Sequence, residues 1–299
     1  MDVSKPGTGR PQPRARSVVV PGLLAVALFA AGVGLIVWAM SAAPSLGEIE
    51  HEETSAYSRI RVRRDGDVRL LTFVRDNGQE VVQSRVDLAA PQTLLSPYAR
   101  GMFASYLYQP RPRRVLIVGL GGGAMVRFLT HHEPDVWIDA VEIDPAVVRV
   151  ADTHFGVRSG GQVRVHTADA VAFVASIEER YDLILMDAFL RPSDDTDATG
   201  VPTRLKTLAF LGRLKAALAP GGVVAFNVNE HDRMPDDIAA VRTAFGHAVV
   251  YDCPPAENKV VIATEGGLVG DDQLRARVAA LDQRFGGALS FGELLKNRE

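Results

Sequence analysis

From residue 114 to residue 264 the chain alternates short, continuous apolar runs with helical stretches, and few architectures accommodate that order. The apolar runs are 114–118, 136–143, 163–166, 181–187, 223–227, 248–252 and 260–264. Between most of them lie helical stretches at 124–132, 145–154, 170–179, 203–219 and 235–245, with a last helix over 271–285. Unbroken Val/Ile/Leu strands are buried on both faces, so they predict a mostly parallel sheet covered by helices on each side. The last two runs stand too close together for a helix between them and predict an antiparallel hairpin at the sheet edge.

Upstream the period changes. Residues 57–63, 68–74 and 80–86 alternate apolar and polar side chains, and Asp65-Gly66 and Asp76-Asn77-Gly78 separate them. Such dipeptides between alternating runs are hairpin signals, so a small antiparallel β domain is expected over 56–95. A helix over 96–108 follows Pro91.

The N-terminal portion has a different character. Residues 1–17 are rich in Pro, Gly and Arg and are read as a disordered basic segment. No charge occurs from Ser17 to Gly47, and the apolar part, 18–40, reaches the roughly 20 residues that cross a bilayer. Trp38 lies near its far end, where interfacial aromatics are favoured. A transmembrane helix is expected over 18–40. The alternative is a cleaved signal peptide, with Ser41-Ala42-Ala43 offered to the peptidase, although its apolar core exceeds the usual length of about 7–15 residues. Lys5, Arg10, Arg14 and Arg16 precede the span, so the positive-inside rule keeps the N-terminus cytoplasmic in the cell membrane. Residues 41–55, with Glu48, Glu50, Glu52 and Glu53, read as an acidic linker.

Composition excludes some functions. The 299 residues carry a net charge of -3, from 33 basic and 36 acidic side chains, and no basic face recurs after Arg114, so nucleic acid is not an expected partner. One cysteine, Cys253, permits no intrachain disulfide and no multi-cysteine zinc site. His131-His132 ends a helix, where cations suit the dipole, and no metal is expected.

The residues expected to carry chemistry gather at strand ends. The first long strand runs into Gly119-Leu120-Gly121-Gly122-Gly123-Ala124 and then a helix. Glycines let the chain turn tightly and let a ligand approach the backbone amides. Gly119, Gly121 and Ala124 also satisfy G-x-G-x-x-A, the dinucleotide pattern. Glu142 ends the next strand, about 20 residues on, where an acid can accept both ribose hydroxyls. Asp144-Pro145 reads as a helix cap. Asp169 follows the third strand in Ala168-Asp169-Ala170, and Asp187 ends the fourth. Pro220-Gly221-Gly222 stops a helix before the fifth. Carboxylates at the carboxyl ends of successive parallel strands converge on one crevice.

These motifs, from about Gln83 to Asn229, resemble the spermidine synthase (polyamine aminopropyltransferase) family. The resemblance rests on Gln83, the Tyr98 region, Gly119–Gly123, residues 141–144, Ala168-Asp169-Ala170, Asp187 and the Pro220-Gly221-Gly222 turn. It implies a Rossmann-like class I fold of the S-adenosylmethionine (AdoMet) transferases over 96–299, behind the small β domain. It also implies decarboxylated AdoMet, or AdoMet, as co-substrate. Gly119, Gly121, Gly122, Gly123 and Gln83 would then contact the co-substrate, Glu142 its ribose, and Asp169 with Ala170 its adenine. Asp187, helped by Tyr98, would hold and deprotonate an amine acceptor, and residues 190–201 would form a lid. Family members are commonly homo-oligomers. Two departures stand out. The family has an aspartate inside the glycine loop where this chain has Gly122, and a Ser/Thr-rich stretch with a second aspartate where this chain has Ala188-Phe189-Leu190-Arg191-Pro192. They keep two alternatives open, an AdoMet-dependent methyltransferase and a non-catalytic membrane-tethered nucleoside-binding protein; a third, an NAD-dependent oxidoreductase, rests on Gly119, Gly121, Ala124 and Glu142. The expected orientation, with the α/β domain outside, also sits awkwardly with a co-substrate made in the cytosol.

Overall fold

The computed structural model describes residues 46–299. The expected disordered segment 1–17, the transmembrane helix over 18–40 and residues 41–45 of the expected linker lie outside the described residues. Among the described residues no helix is long and apolar enough to cross a membrane.

Four strands come first: β1 (Glu48–Thr54), β2 (Arg59–Asp65), β3 (Val68–Val74) and β4 (Glu80–Asp87), paired antiparallel in that order. The last three are the strands expected from alternation. β1 is a correction, because Glu48–Thr54 falls in the stretch read as linker. Its carboxylates are not merely solvated. Glu50 takes Arg69 at 2.6 Å, Glu52 takes Arg61 at 2.8 Å, and Glu53 pairs with Arg149. Acidic charge that reads as linker is here one half of an ion-pair lattice along an edge strand.

The remainder contains α1 (Pro97–Met102), β5 (Arg114–Val118), α2 (Ala124–His132), β6 (Trp137–Glu142), α3 (Pro145–Phe155), β7 (Val163–Thr167), α4 (Ala170–Ser176) and β8 (Tyr181–Met186). There follow α5 (Leu208–Ala216), β9 (Leu218–Val228), α6 (Met234–Phe245), β10 (His247–Asp252), β11 (Lys259–Thr264), α7 (Asp271–Arg284) and α8 (Phe291–Lys296). The seven strands run in the order β10-β11-β9-β8-β5-β6-β7. All are parallel except β11, which is antiparallel to both β9 and β10. The chain winds outward from β5 in both directions, and the crevice of such a sheet opens at that switch point, beyond the strand carboxyl ends.

Local chemistry accounts for the element ends. Asp144 Oδ1 accepts the Ala146 amide at 2.9 Å and Pro145 follows it, which starts α3. Asp169 caps α4 through the amides of Val171 and Ala172. Three expected helices are revised. The helix over 96–108 becomes α1 followed by a 3-10 turn, Phe103–Leu107. The helix over 203–219 divides at Thr207, whose extended backbone (ψ 144) lets its hydroxyl cap α5 after a 3-10 turn, Thr203–Lys206. Extended Ile177 (ψ 137) ends α4 before residue 179. The small sheet packs Ile60, Val62, Leu71, Phe73 and Val86 against Ala146, Val147, Val150 and Phe155 of α3. Ser55 Oγ also donates to Asp144 Oδ2 at 2.5 Å, tying the small sheet to the cap of α3.

Candidate active site

The chain leaves β5 through three left-handed glycines: Gly119 (φ 95), Gly121 (φ 51) and Gly123 (φ 70). At Gly119 glycine is required twice over. Besides its φ, a Cβ there would fall 2.0 Å from the Asp187 carbonyl oxygen. The resulting bend aims the Leu120 amide at Glu142 Oε2 (3.0 Å), while Oε1 accepts the Asp144 amide at 3.0 Å. Glu142 is buried. That burial raises its pKa, and the backbone donors, Asp144 first, oppose the rise.

Asp187 follows the last residue of β8. Asn227, near the end of β9, donates to its Oδ1 at 2.8 Å, and the Tyr98 hydroxyl, from α1, donates to Oδ2 at 3.3 Å. Burial pushes the Asp187 pKa up to about 6, against the pull of Asn227 and then Tyr98. Burial also holds the Tyr98 phenol well above its ordinary value, so it remains a donor. Asn258, in the β10–β11 connection, donates to Asn227 Oδ1 at 2.9 Å and also to Asn229. The Asn227 amide is thereby held with its nitrogen toward Asp187. Replacing Asn227 with Leu is expected to raise the Asp187 pKa further. The acid limb of kcat/KM against pH, expected near pH 6 in the parent, then moves to higher pH, a shift read directly from the profile.

An open cleft of about 630 Å³, the solvent at its mouth included, is lined by Gln83, Tyr98, Gly119, Gly121, Gly123, Glu142 and Asp187, with Ser84, Phe73 and Phe189 among its other walls. An adjoining hollow of about 390 Å³ shares Gly119, Glu142 and Phe189 and adds Ala168, Ala170 and Arg204. Two expected site residues depart from this arrangement. Gly122 does not line the cleft: a Cβ there would meet Ser84 Oγ at 2.8 Å and Phe155 at 3.1 Å. Asp169 lies between the two alanines of the hollow, but its Oδ1 caps α4 and its Oδ2 meets Arg204 at 2.5 Å, so its carboxylate is already engaged. Three participants were missed: Ser84, Asn227 and Asn258. Asn227 carried the same signal as the carboxylates, a polar residue near the end of a parallel strand. Asn258 carried none, because it reaches the site only through the hairpin.

Among the described residues one group has metal-ligand geometry, Asp197, His231 and Asp237. Lys206 donates to both aspartates, and His231 Nε2 lies 2.9 Å from Asp237. A lysine ammonium therefore sits where a cation would be held, and the cluster ties the segment before α5 to α6.

Residues 102–269 match the spermine/spermidine synthase domain. The chain is also 32% identical over 244 residues to the polyamine aminopropyltransferase of Vibrio vulnificus, an alignment spanning 79% of each protein. The chain belongs to the spermine/spermidine synthase family. It is accordingly a transferase, and the dinucleotide reading of Gly119, Gly121 and Ala124 gives way. A probable spermidine synthase from Corynebacterium glutamicum shares the fold, with a TM-score of 0.65 at 22% identity, over 81% of this chain and 89% of that one. Human methyltransferase-like protein 13 in complex with SAH superposes with a TM-score of 0.58 at 25% identity, over 64% of this chain and 92% of its own. The chain thus shares its fold with a methyltransferase-like protein as well as with a probable spermidine synthase.

Proposed function

We propose that the chain moves an alkyl group from a sulfonium nucleoside to an amine held at Asp187, with decarboxylated AdoMet as donor and an aminopropyl group transferred. The observation that carries this reading is the half-buried Asp187, oriented by Tyr98 and Asn227 and sharing one cleft with the glycine bend and Glu142. The donor supplies an excellent leaving group, so the protein's task is mainly alignment. Glu142 holds the ribose, and Ala168 and Ala170 wall the adenine. Asp169 reaches the adenine only when Arg204 releases it.

An amine enters as ammonium, with a pKa of about 10. Asp187 takes one proton from it, and burial favours that transfer by narrowing the gap between the two pKa values. The freed lone pair forms the C–N bond as the C–S bond breaks, its electrons passing to sulfur. The product nitrogen carries the positive charge away, and Asp187 returns its proton to water.

A second reading, methyl transfer from AdoMet, is favoured by Gly122. Ser84 and Phe155 fill the space an acidic side chain would need there to grip an aminopropyl ammonium. Titrating the full-length protein with AdoMet, decarboxylated AdoMet, methylthioadenosine and NAD, followed by product mass, tests both. Methylthioadenosine is expected to bind and NAD to be ignored. Binding of NAD alone removes the proposal.

We also propose that residues 18–40 anchor the protein in the cell membrane, on the strength of their uncharged sequence. A reporter fused at the C-terminus reads which side the α/β domain occupies; release of the protein by carbonate washing argues against an anchor.

A further inference from the structure

Asp187 stands at the end of a line of side-chain amides that reaches the edge hairpin. β9 and β11 pair antiparallel, with Asn227 opposite Val260 and Val228 opposite Lys259. That register brings Asn258, the next residue back, beside the end of β9, and Lys259 is fixed there by Asp252 and Glu299. Both partners of the Asn258 amide nitrogen are side-chain oxygens, Asn227 Oδ1 at 2.9 Å and Asn229 Oδ1. Asn227 Nδ2 in turn donates to Asp187 Oδ1 at 2.8 Å. A primary amide offers a donor at one tip and an acceptor at the other, so each one fixes the sense of the next. Turning the line over would set Asn227 Oδ1 against Asp187 Oδ1, which only a protonated Asp187 could accommodate. The sense observed therefore favours the charged base. Of the titratable groups around this line, Tyr98 donates to Asp187 from α1, and Glu142 lines the same cleft from β6, held by backbone amides. His231, beyond Asn229, is engaged with Asp237, and Glu257, beside Asn258, is exposed.

We infer that Asn258 is a positioning residue for the transfer reaction, acting through Asn227 to keep a hydrogen-bond donor aimed at Asp187. The inference rests on the transfer reading proposed above. With that donor in place Asp187 is ionised, and free to take the ammonium proton, at lower pH than it would be without it. Asn258→Asp reverses the sense of the line. An ionised carboxylate only accepts, so Asn227 must turn its nitrogen to meet it, and its oxygen then faces Asp187. Asp187 responds by keeping its proton to higher pH.

The test follows kcat/KM against pH in the full-length protein, with decarboxylated AdoMet and AdoMet each offered as donor and putrescine and spermidine as acceptors. Asn258→Asp is expected to move the acid limb up by about one pH unit, which lowers kcat/KM about tenfold on that limb. Asn258→Ala removes the donor without adding charge; it is expected to move the limb the same way by less, and it serves if the aspartate variant does not fold. Methylthioadenosine binding, measured alongside by calorimetry, is expected to be unchanged, because Glu142 and the glycine bend are untouched. In an Asn227→Leu background the Asn258→Asp shift is expected to vanish, because the line is already cut. An acid limb that stays in place in the folded variants overturns the inference and leaves the transfer reading standing. So does a shift that persists in full without Asn227, which would be a plain effect of the added charge. A parent protein that alkylates no amine removes the transfer reading, and the inference with it.

Discussion

Asp187→Asn is expected to abolish transfer, leave nucleoside binding intact, and stabilise the unliganded protein at neutral pH. The first two follow from the proposed roles: Asp187 is the base proposed for the acceptor, and the substitution leaves Glu142 and the glycine bend, which share the cleft, untouched. The third follows from linkage. The folded pKa of Asp187, about 6, lies above the ordinary value of 3.8, so the folded state holds the proton more tightly than the unfolded one. Stability linked to this group is fully present below pH 3.8 and is lost as pH rises through 6. About two pKa units correspond to roughly 3 kcal/mol at pH 7, an upper bound because one edge of the carboxylate faces the open cleft. The amide carries no charge to desolvate. It can still accept from Asn227, and the Tyr98 hydroxyl can rotate to accept from it. Denaturant unfolding at pH 7.5 should therefore show the variant as the more stable protein, with the advantage vanishing near pH 4. Surviving turnover would contradict the catalytic role, and equal destabilisation at both pH values would contradict the electrostatic one.

Gly119→Ala is the substitution expected to damage the fold most. Its Cβ would lie 2.0 Å from the Asp187 carbonyl oxygen and 3.0 Å from the Ala188 Cα, both backbone atoms that no side-chain rotation can move aside. The positive φ of 95 adds strain of its own. A loss of more than about 4 kcal/mol, or failure to fold, is the expected outcome. Gly66→Ala is the control. Its φ of 59 is also left-handed, yet nothing lies within 4 Å of the added carbon, so about 1 kcal/mol is expected. Denaturant midpoints for the pair separate backbone strain from collision. Similar losses in both would show that the contact between the tips of β5 and β8 is not the decisive constraint.

The parallel sheet, its antiparallel edge and three of the four strands of the small sheet were legible because their signals are local. Buried strands read as unbroken Val/Ile/Leu runs, and hairpins announce themselves through Asp-Gly and Asn-Gly. The cleft residues were legible for a related reason: strand carboxyl ends can be located in sequence, and Glu142 and Asp187 sit at them. What escaped depended on partners far along the chain. β1 carries an acidic sequence that makes sense only beside Arg61, Arg69 and Arg149. Asp169 matched the pattern, but Arg204, 35 positions later, takes up its carboxylate (204 − 169). Asn258 matters only because a hairpin folds it back onto Asn227.

Phe73, Gln83 and Ser84 bring the small sheet into the cleft as one of its faces, while the glycine bend, Glu142 and Asp187 all come from the larger sheet. The cleft is thus completed by two stretches of chain far apart in sequence, and a substitution in β3 or β4 reshapes one wall without touching the glycine bend, Glu142 or Asp187.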